Sequence, residues 1–200
     1  MNIRTLIIIS IFLLISAFFI FVFVTGCNNP NIPNKDHKPK NPNAPLAIVA
    51  RSMNGTVDIS TCNLIASVLD NLGYNAIKHS TVTKDELNRK EVDKVAILYF
   101  IGHGDFDSNA TPPKFYGIVG SDGKTIVPSE INQKKKFSLV FFSGCGTAPT
   151  ENDATAKAFK DKFRADHYLG WSNIIWCVDQ ELSVDFFNHL KNGKTVSEAI

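Results

Sequence analysis

The chain has no strong excess of either charge and no paired metal-binding motif. Its 21 Lys and Arg residues against 19 Asp and Glu give a net charge of +2, which is too small to predict a nucleic-acid partner. Residues 134–136 form a short basic cluster that is typical of a solvated loop. Cysteine is scarce, with four in 200 residues, and the absence of CxxC or Cys/His spacing argues against structural zinc. We also find no internal repeat and no motif for a cofactor or a metal.

The first 27 residues differ from the rest of the chain. A mostly apolar run of about 20 residues without charge follows Arg4, which suits a secretory signal or an uncleaved membrane helix. The run ends in Val24-Thr25-Gly26-Cys27, which resembles the lipobox of prokaryotic lipoproteins, where the Cys is lipidated and becomes the new N-terminus. Two interpretations stay open: lipidation at Cys27, or a membrane anchor with an incidental Cys. Either places the remaining chain outside the cytoplasmic membrane and attaches it through lipid or a helix.

Residues 28–44 are rich in Asn, Pro and Lys and poor in large apolar side chains. Such a segment cannot bury a core, and its prolines favour an extended, disordered tether. We therefore expect the folded domain to span residues 45–200, which is long enough to bury a stable core without disulfides.

Apolar runs alternate with amphipathic segments along this domain. Ser60 and Thr61 are N-cap candidates for a helix that Gly73 ends, and Thr83 with Glu86 has the spacing of a capping box. Ser-Asp-Gly at 121–123 predicts the turn of a hairpin. The predicted strands are 45–52, 74–80, 95–100, 137–142 and 172–178, and the predicted helices are 60–73, 83–92, 151–164 and 179–193. This alternation predicts an α/β fold whose mainly parallel sheet carries helices on both faces.

Two buried strands are each followed by a reactive side chain between glycines: Gly102-His103-Gly104 and Gly144-Cys145-Gly146. Since ligand sites lie beyond the carboxyl ends of parallel strands, we expect His103 and Cys145 at one edge of the sheet. An imidazole can take the proton of a thiol, and the thiolate can attack a carbonyl. The backbone amides of Gly104 and Cys145 can then hold the developing oxyanion. A metal site built on the same pair lacks further ligands.

These motifs resemble those of the caspase-like cysteine peptidases (clan CD), which include caspases, metacaspases, gingipains, separases and CHAT domains. "FIGHGD" is similar to the family's strand followed by His-Gly, and "VFFSGCGTA" to its strand followed by Cys. His103 precedes Cys145 by 42 residues, against roughly 50 in the caspase signature. "GSDGKTIVPSEI" and the closing segment from Tyr168 to Ile200 resemble CHAT domains. The resemblance covers about residues 45–200 and implies a caspase-like three-layer sandwich, with Cys145 as nucleophile, His103 as base and Gly104 in the oxyanion hole.

The resemblance also indicates where a peptide substrate would bind. Ser143 stands where metacaspases have an acid that holds a basic P1 residue and where caspases have Gln. The remaining acids near the expected site are Asp105 and Asp179, and Asp179 either holds a basic P1 side chain or caps the following helix. Trp171 belongs either to the core or to the wall of a substrate pocket. P1 specificity is thus open between these residues.

Cys62 and Cys177 are expected to be small buried hydrophobes, like Trp176 in its predicted strand. If Cys27 carries lipid, three cysteines are left, and this odd number indicates a free thiol. The sequence thus predicts a membrane-anchored, extracytoplasmic cysteine endopeptidase with a peptide or protein substrate. The alternative is a catalytically silent binding or scaffold module that keeps the same fold.

Overall fold

Within the described part of the chain, five short segments assemble into one parallel sheet. The computed structural model describes residues 43–53, 55–89, 95–134, 136–148, 153–172 and 180–200. The strands are β1 (Leu46–Arg51), β2 (Asn75–His79), β3 (Val95–Ile101), β4 (Gly104–Asp107), β5 (Lys114–Val119), β6 (Thr125–Ile126), β7 (Leu139–Ser143) and β8 (His167–Gly170). The helices are α1 (Thr56–Asn71), α2 (Lys84–Leu87), α3 (Ala154–Lys162), α4 (Gln180–Lys191) and α5 (Val196–Ala199).

The main sheet has the strand order β2-β1-β3-β7-β8, and every neighbouring pair is parallel. Its central strands β3 and β7 are almost entirely apolar and buried, because helices or loops cover both faces. Between these two strands the chain makes a small antiparallel sheet of order β4-β5-β6. In the chain this small sheet follows β3, and the helix α3 follows β7.

Side chains alternate between the two faces of the central strands. Tyr99 and Ile101 pack with α1 and α4 in one cluster, whereas Leu98 and Phe100 pack with α3 and the small sheet in the other. The result is a parallel sheet between two layers, which confirms the predicted α/β class with helices on both faces. The arrangement is compatible with a three-layer sandwich.

The start of α1 differs from the prediction that Ser60 or Thr61 caps it. The helix begins at Thr56 with Gly55 as N-cap, and the Asp58 carboxylate accepts a hydrogen bond from the Gly55 amide at 3.1 Å. The carboxylate thus satisfies a donor that a helix start leaves open, and Thr61 lies buried inside the helix. The predicted stop is confirmed, since Gly73 follows the helix with φ +91°, a conformation that glycine adopts without strain.

Other elements agree with the prediction to different degrees. The hairpin is confirmed: β5 and β6 pair antiparallel around a turn in which Gly123 has φ +75°. Of the predicted helix 83–92, residues 90–92 lie outside the described residues, and the rest forms the single turn of α2 with Thr83 as N-cap. Strands β4 and β8 were not predicted, because both are short and only partly buried. Most of the strand predicted at 172–178, with Trp176 and Cys177, lies outside the described residues.

The leader 1–27 with Cys27, and residues 28–42 of the tether, lie outside the described ranges. Among the helices that the structure does describe, none combines the length and the apolar character needed to span a bilayer.

Candidate active site

The pairing of β3 with β7 places His103 and Cys145 at equivalent positions. In this parallel pair Ile101 is the register partner of Ser143, and the two candidates each follow their strand by two residues. The ladder continues for one step, as the Gly102 amide donates to the Ser143 carbonyl at 3.2 Å. The prediction that both residues leave neighbouring strands at one edge of the sheet is confirmed.

The loops that carry the two residues touch through their backbones. A Cβ added to Gly104 would lie only 2.0 Å from the carbonyl oxygen of Cys145. A Cβ added to Gly144 would lie 2.7 Å from the carbonyl oxygen of Gly102. Both distances are shorter than any real contact of a Cβ. Glycine is therefore required at these two positions by close approach, and the approach is what brings His103 near Cys145.

Solvent reaches both candidate residues. His103 is exposed and Cys145 is partly exposed, whereas Cys62 is buried at 3% exposure. Burial raises the pKa of the Cys62 thiol to about 12, so this side chain is a packing residue, as expected. Neither Cys62 nor Cys145 takes part in a disulfide within the described part of the chain. A reactive thiol has to be accessible to its substrate, and Cys145 meets this condition.

The predicted oxyanion donor Gly104 lies beside the Cys145 loop. Its backbone nitrogen is 3.0 Å from the position that a Cβ of residue 144 would take. On the other side of the thiol, Gly146 has φ +58°, and a Cβ there would meet the ring of Phe106 at 2.0 Å. Phe106 belongs to β4, so the small sheet covers the far side of the Cys145 turn.

Ser143 is turned into the core and away from the edge of the sheet. Its side chain is 0% exposed, because it shares a strand face with Phe141 and faces α4. Its hydroxyl lies 3.3 Å from that of Ser183 and accepts a hydrogen bond of 3.0 Å from Nε1 of Trp171. This placement differs from the substrate contact expected at Ser143, since a hydroxyl with these partners has no surface left for a ligand.

Trp171 packs against the core, which is one of the two roles that the sequence left open. The indole packs on the ring of Phe141, with centroids 5.8 Å apart, and donates to Ser143. It also borders a cavity of about 330 Å³ on the α4 side of the sheet. The apolar wall of this cavity includes Phe141, Leu169, Leu182 and Phe186. Trp171 is thus a core residue and a cavity wall at the same time.

The two acidic candidates have different outcomes. Asp105 is half-buried on β4, and its Oδ2 accepts a hydrogen bond of 2.7 Å from Thr125 Oγ1. That bond links the first and last strands of the small sheet. Asp179 lies outside the described residues. Among the residues that the structure covers, no group of three or more His, Cys, Asp or Glu side chains could hold a metal ion.

Sequence reasoning missed two residues that contact the loops of the candidate pair. Thr147 lies beside Gly104 and Gly144, and Phe106 lies beside Gly146. The only signal in the sequence was the position of Thr147 directly after Gly-Cys-Gly, and that position does not distinguish a buried threonine from a solvated one.

No protein-family model, curated protein or solved structure matches the chain.

Proposed function

We propose that the chain is a cysteine endopeptidase of the caspase-like type, with Cys145 as nucleophile and His103 as general base. The observation that supports this proposal best is the register of β3 with β7. Because Ile101 pairs with Ser143, an imidazole and a thiol follow at matched positions on loops whose backbones touch. This is the edge of a parallel sheet where ligands bind.

The reaction would proceed by acyl transfer to the thiol. His103 removes the Cys145 proton, and the thiolate attacks the carbonyl carbon of the scissile peptide bond. The amides of Gly104 and Cys145 hold the negative oxygen of the tetrahedral intermediate. The His103 imidazolium then gives its proton to the leaving amine, and a thioester remains. Water, deprotonated by His103, hydrolyses the thioester and restores the thiol.

The substrate is a peptide or protein segment, for which the exposure of His103 leaves an open approach. We expect the enzyme to prefer a basic residue at P1 of the substrate. Asp105 is the described carboxylate nearest in the chain to the candidate pair, although one of its oxygens already accepts from Thr125. Asp179 is the other candidate; it either holds the basic P1 side chain or caps the following helix.

We infer that the catalytic domain lies outside the cytoplasm and is attached to the membrane. The leader 1–27 would attach the chain to the membrane, through lipid on Cys27 or through its apolar helix. The tether 28–44 would hold the catalytic domain outside the cytoplasm. Such a tether lets the domain reach substrates near the membrane surface.

The test is labelling with peptidyl electrophiles that carry Arg, Lys, Asp or Leu at P1. The full chain is compared with the Cys145→Ala, His103→Ala and Cys62→Ala variants, and the modified residue is located by mass spectrometry. We expect an adduct on Cys145 that is absent in Cys145→Ala, slower in His103→Ala and unchanged in Cys62→Ala. An equal rate of Cys145 labelling in the wild type and in His103→Ala would refute the dyad. It would favour the silent binding or scaffold module instead.

A further inference from the structure

Thr147 lies fully buried between the two loops of the candidate site. It is 0% exposed, although it follows the partly exposed Cys145 by only two residues. Its Cγ2 methyl lies 3.2 Å from the Cβ position of Gly104 and 3.1 Å from that of Gly144. The methyl group therefore occupies the space between the His103 loop and the Cys145 loop.

The hydroxyl of Thr147 forms hydrogen bonds with backbone groups of the Cys145 turn and of Trp171. Its Oγ1 lies 2.6 Å from the carbonyl oxygen of Phe142 and 3.0 Å from that of Gly144, and these two oxygens share its single donor hydrogen. Its oxygen accepts a hydrogen bond of 3.0 Å from the Trp171 amide. A hydroxyl offers one donor and two acceptor sites, and the Thr147 hydroxyl acts here both as a donor and as an acceptor. The backbone carbonyl of Thr147 also accepts from the Tyr168 hydroxyl at 2.9 Å.

Trp171 forms hydrogen bonds with both ends of the Cys145 turn. Its indole Nε1 donates to the Ser143 hydroxyl before the nucleophile, at 3.0 Å. Its carbonyl oxygen accepts from the Ala148 amide after the nucleophile, at 3.1 Å. Together with the bond from its own amide to Thr147, three hydrogen bonds tie residues 143–148 to the end of β8. Cys145 lies at the middle of this segment.

We propose that Thr147, braced by Trp171, is a positioning residue that sets the distance between the Cys145 thiol and the His103 imidazole. The inference rests on the proposed function, because it assumes that the thiol reacts with the help of His103. Thr147 acts through the backbone and touches no substrate. Its hydroxyl shapes the Cys145 turn, and its methyl spaces the two loops. A displacement of about 1 Å at such a site can lower the rate roughly 100-fold.

Two substitutions separate the hydroxyl from the methyl. Thr147→Val keeps the shape and the methyl but leaves the Phe142 and Gly144 carbonyls and the Trp171 amide without the hydroxyl. Thr147→Ser keeps the hydroxyl and removes the methyl. Thr61→Val is the matched control, because Thr61 is also a buried threonine but lies in α1.

The experiment measures three quantities in the full chain: the melting temperature, the rate of Cys145 alkylation by iodoacetamide, and kcat and KM on the peptide that the labelling panel selects. For Thr147→Val we expect kcat and the alkylation rate to fall by about 100-fold, with KM changed less than about 3-fold. Thr147→Ser should recover most of the loss. Thr61→Val should lower the melting temperature and leave both rates near those of the wild type.

The outcomes distinguish this inference from the proposed function. If the wild type reacts and a folded Thr147→Val reacts at the same rate, positioning by Thr147 is refuted while the dyad stands. If Thr147→Val does not fold, Thr147→Ser decides the hydroxyl's role, since a 100-fold loss in that variant would contradict it. A wild type whose Cys145 is alkylated no faster after folding than in denaturant would overturn both the function and the inference.

Discussion

The substitution Gly104→Ala tests the close approach on which the candidate site depends. The new Cβ would lie 2.0 Å from the carbonyl oxygen of Cys145. The two backbones have to separate by roughly 1–1.5 Å before this becomes an ordinary van der Waals contact. Because the new Cβ is fixed to the backbone and meets a backbone carbonyl oxygen, rotation of a side chain cannot relieve this contact.

Two consequences of this separation can be given a size. Overpacking of this kind costs about 1–3 kcal/mol of folding free energy, which corresponds to a melting temperature lower by roughly 2–12 °C in a domain of this length. A shift of about 1 Å between a nucleophile and its base lowers kcat/KM by about 100-fold. The activity loss should therefore greatly exceed what the lost stability explains.

The assay compares Gly104→Ala with Gly117→Ala, below the melting temperature of both variants. A Cβ at Gly117 would meet the carbonyl oxygen of Ile126 at 2.4 Å. The conflict again involves a backbone carbonyl, but this carbonyl belongs to the small sheet and not to the Cys145 loop. We expect a similar fall in melting temperature for both variants and slow alkylation of Cys145 only in Gly104→Ala. Wild-type alkylation in a folded Gly104→Ala chain, or an equal loss in Gly117→Ala, would refute the reasoning.

Further predictions concern three other parts of the chain. The Cys62 thiol, with its pKa raised by burial to about 12, should be about one part in 10⁴ thiolate at pH 8; maleimide at this pH should modify Cys145 and spare Cys62 until the chain unfolds. The same shift makes stability fall between about pH 9 and 12, since the thiol of the unfolded chain ionises first. Asp58→Ala should lower the free energy of unfolding by about 1 kcal/mol by removing the acceptor of the Gly55 amide. Thermal melts should show Asp58→Asn recovering most of this loss, and an unchanged melt for Asp58→Ala would contradict the cap. In the native host Cys27→Ala should abolish lipid labelling, and a chain that begins at Pro45 should stay in solution and melt cooperatively; persistent labelling or aggregation would contradict these boundaries.

Several features of the fold could be predicted from local patterns. The runs that became β3 and β7 are mostly apolar, and each is followed by a glycine. Burial on both faces therefore accounts for them without knowledge of their neighbours. The edge shared by His103 and Cys145 followed from one further rule, that parallel strands end on the same side. The predicted hairpin turn likewise depends only on three consecutive residues.

Only the tertiary structure decided which side chains face the site. Ser143 is two residues from Cys145 in sequence, yet it is buried because of its face on β7 and because α4 covers that face. The contacts of Thr147 with Trp171 join residues far apart in the chain, and they exist because β8 pairs with β7 in one particular register. Hydrogen bonds of this kind depend on distances of a few tenths of an ångström between separate elements, and the spacing of residues along a chain carries no information about them.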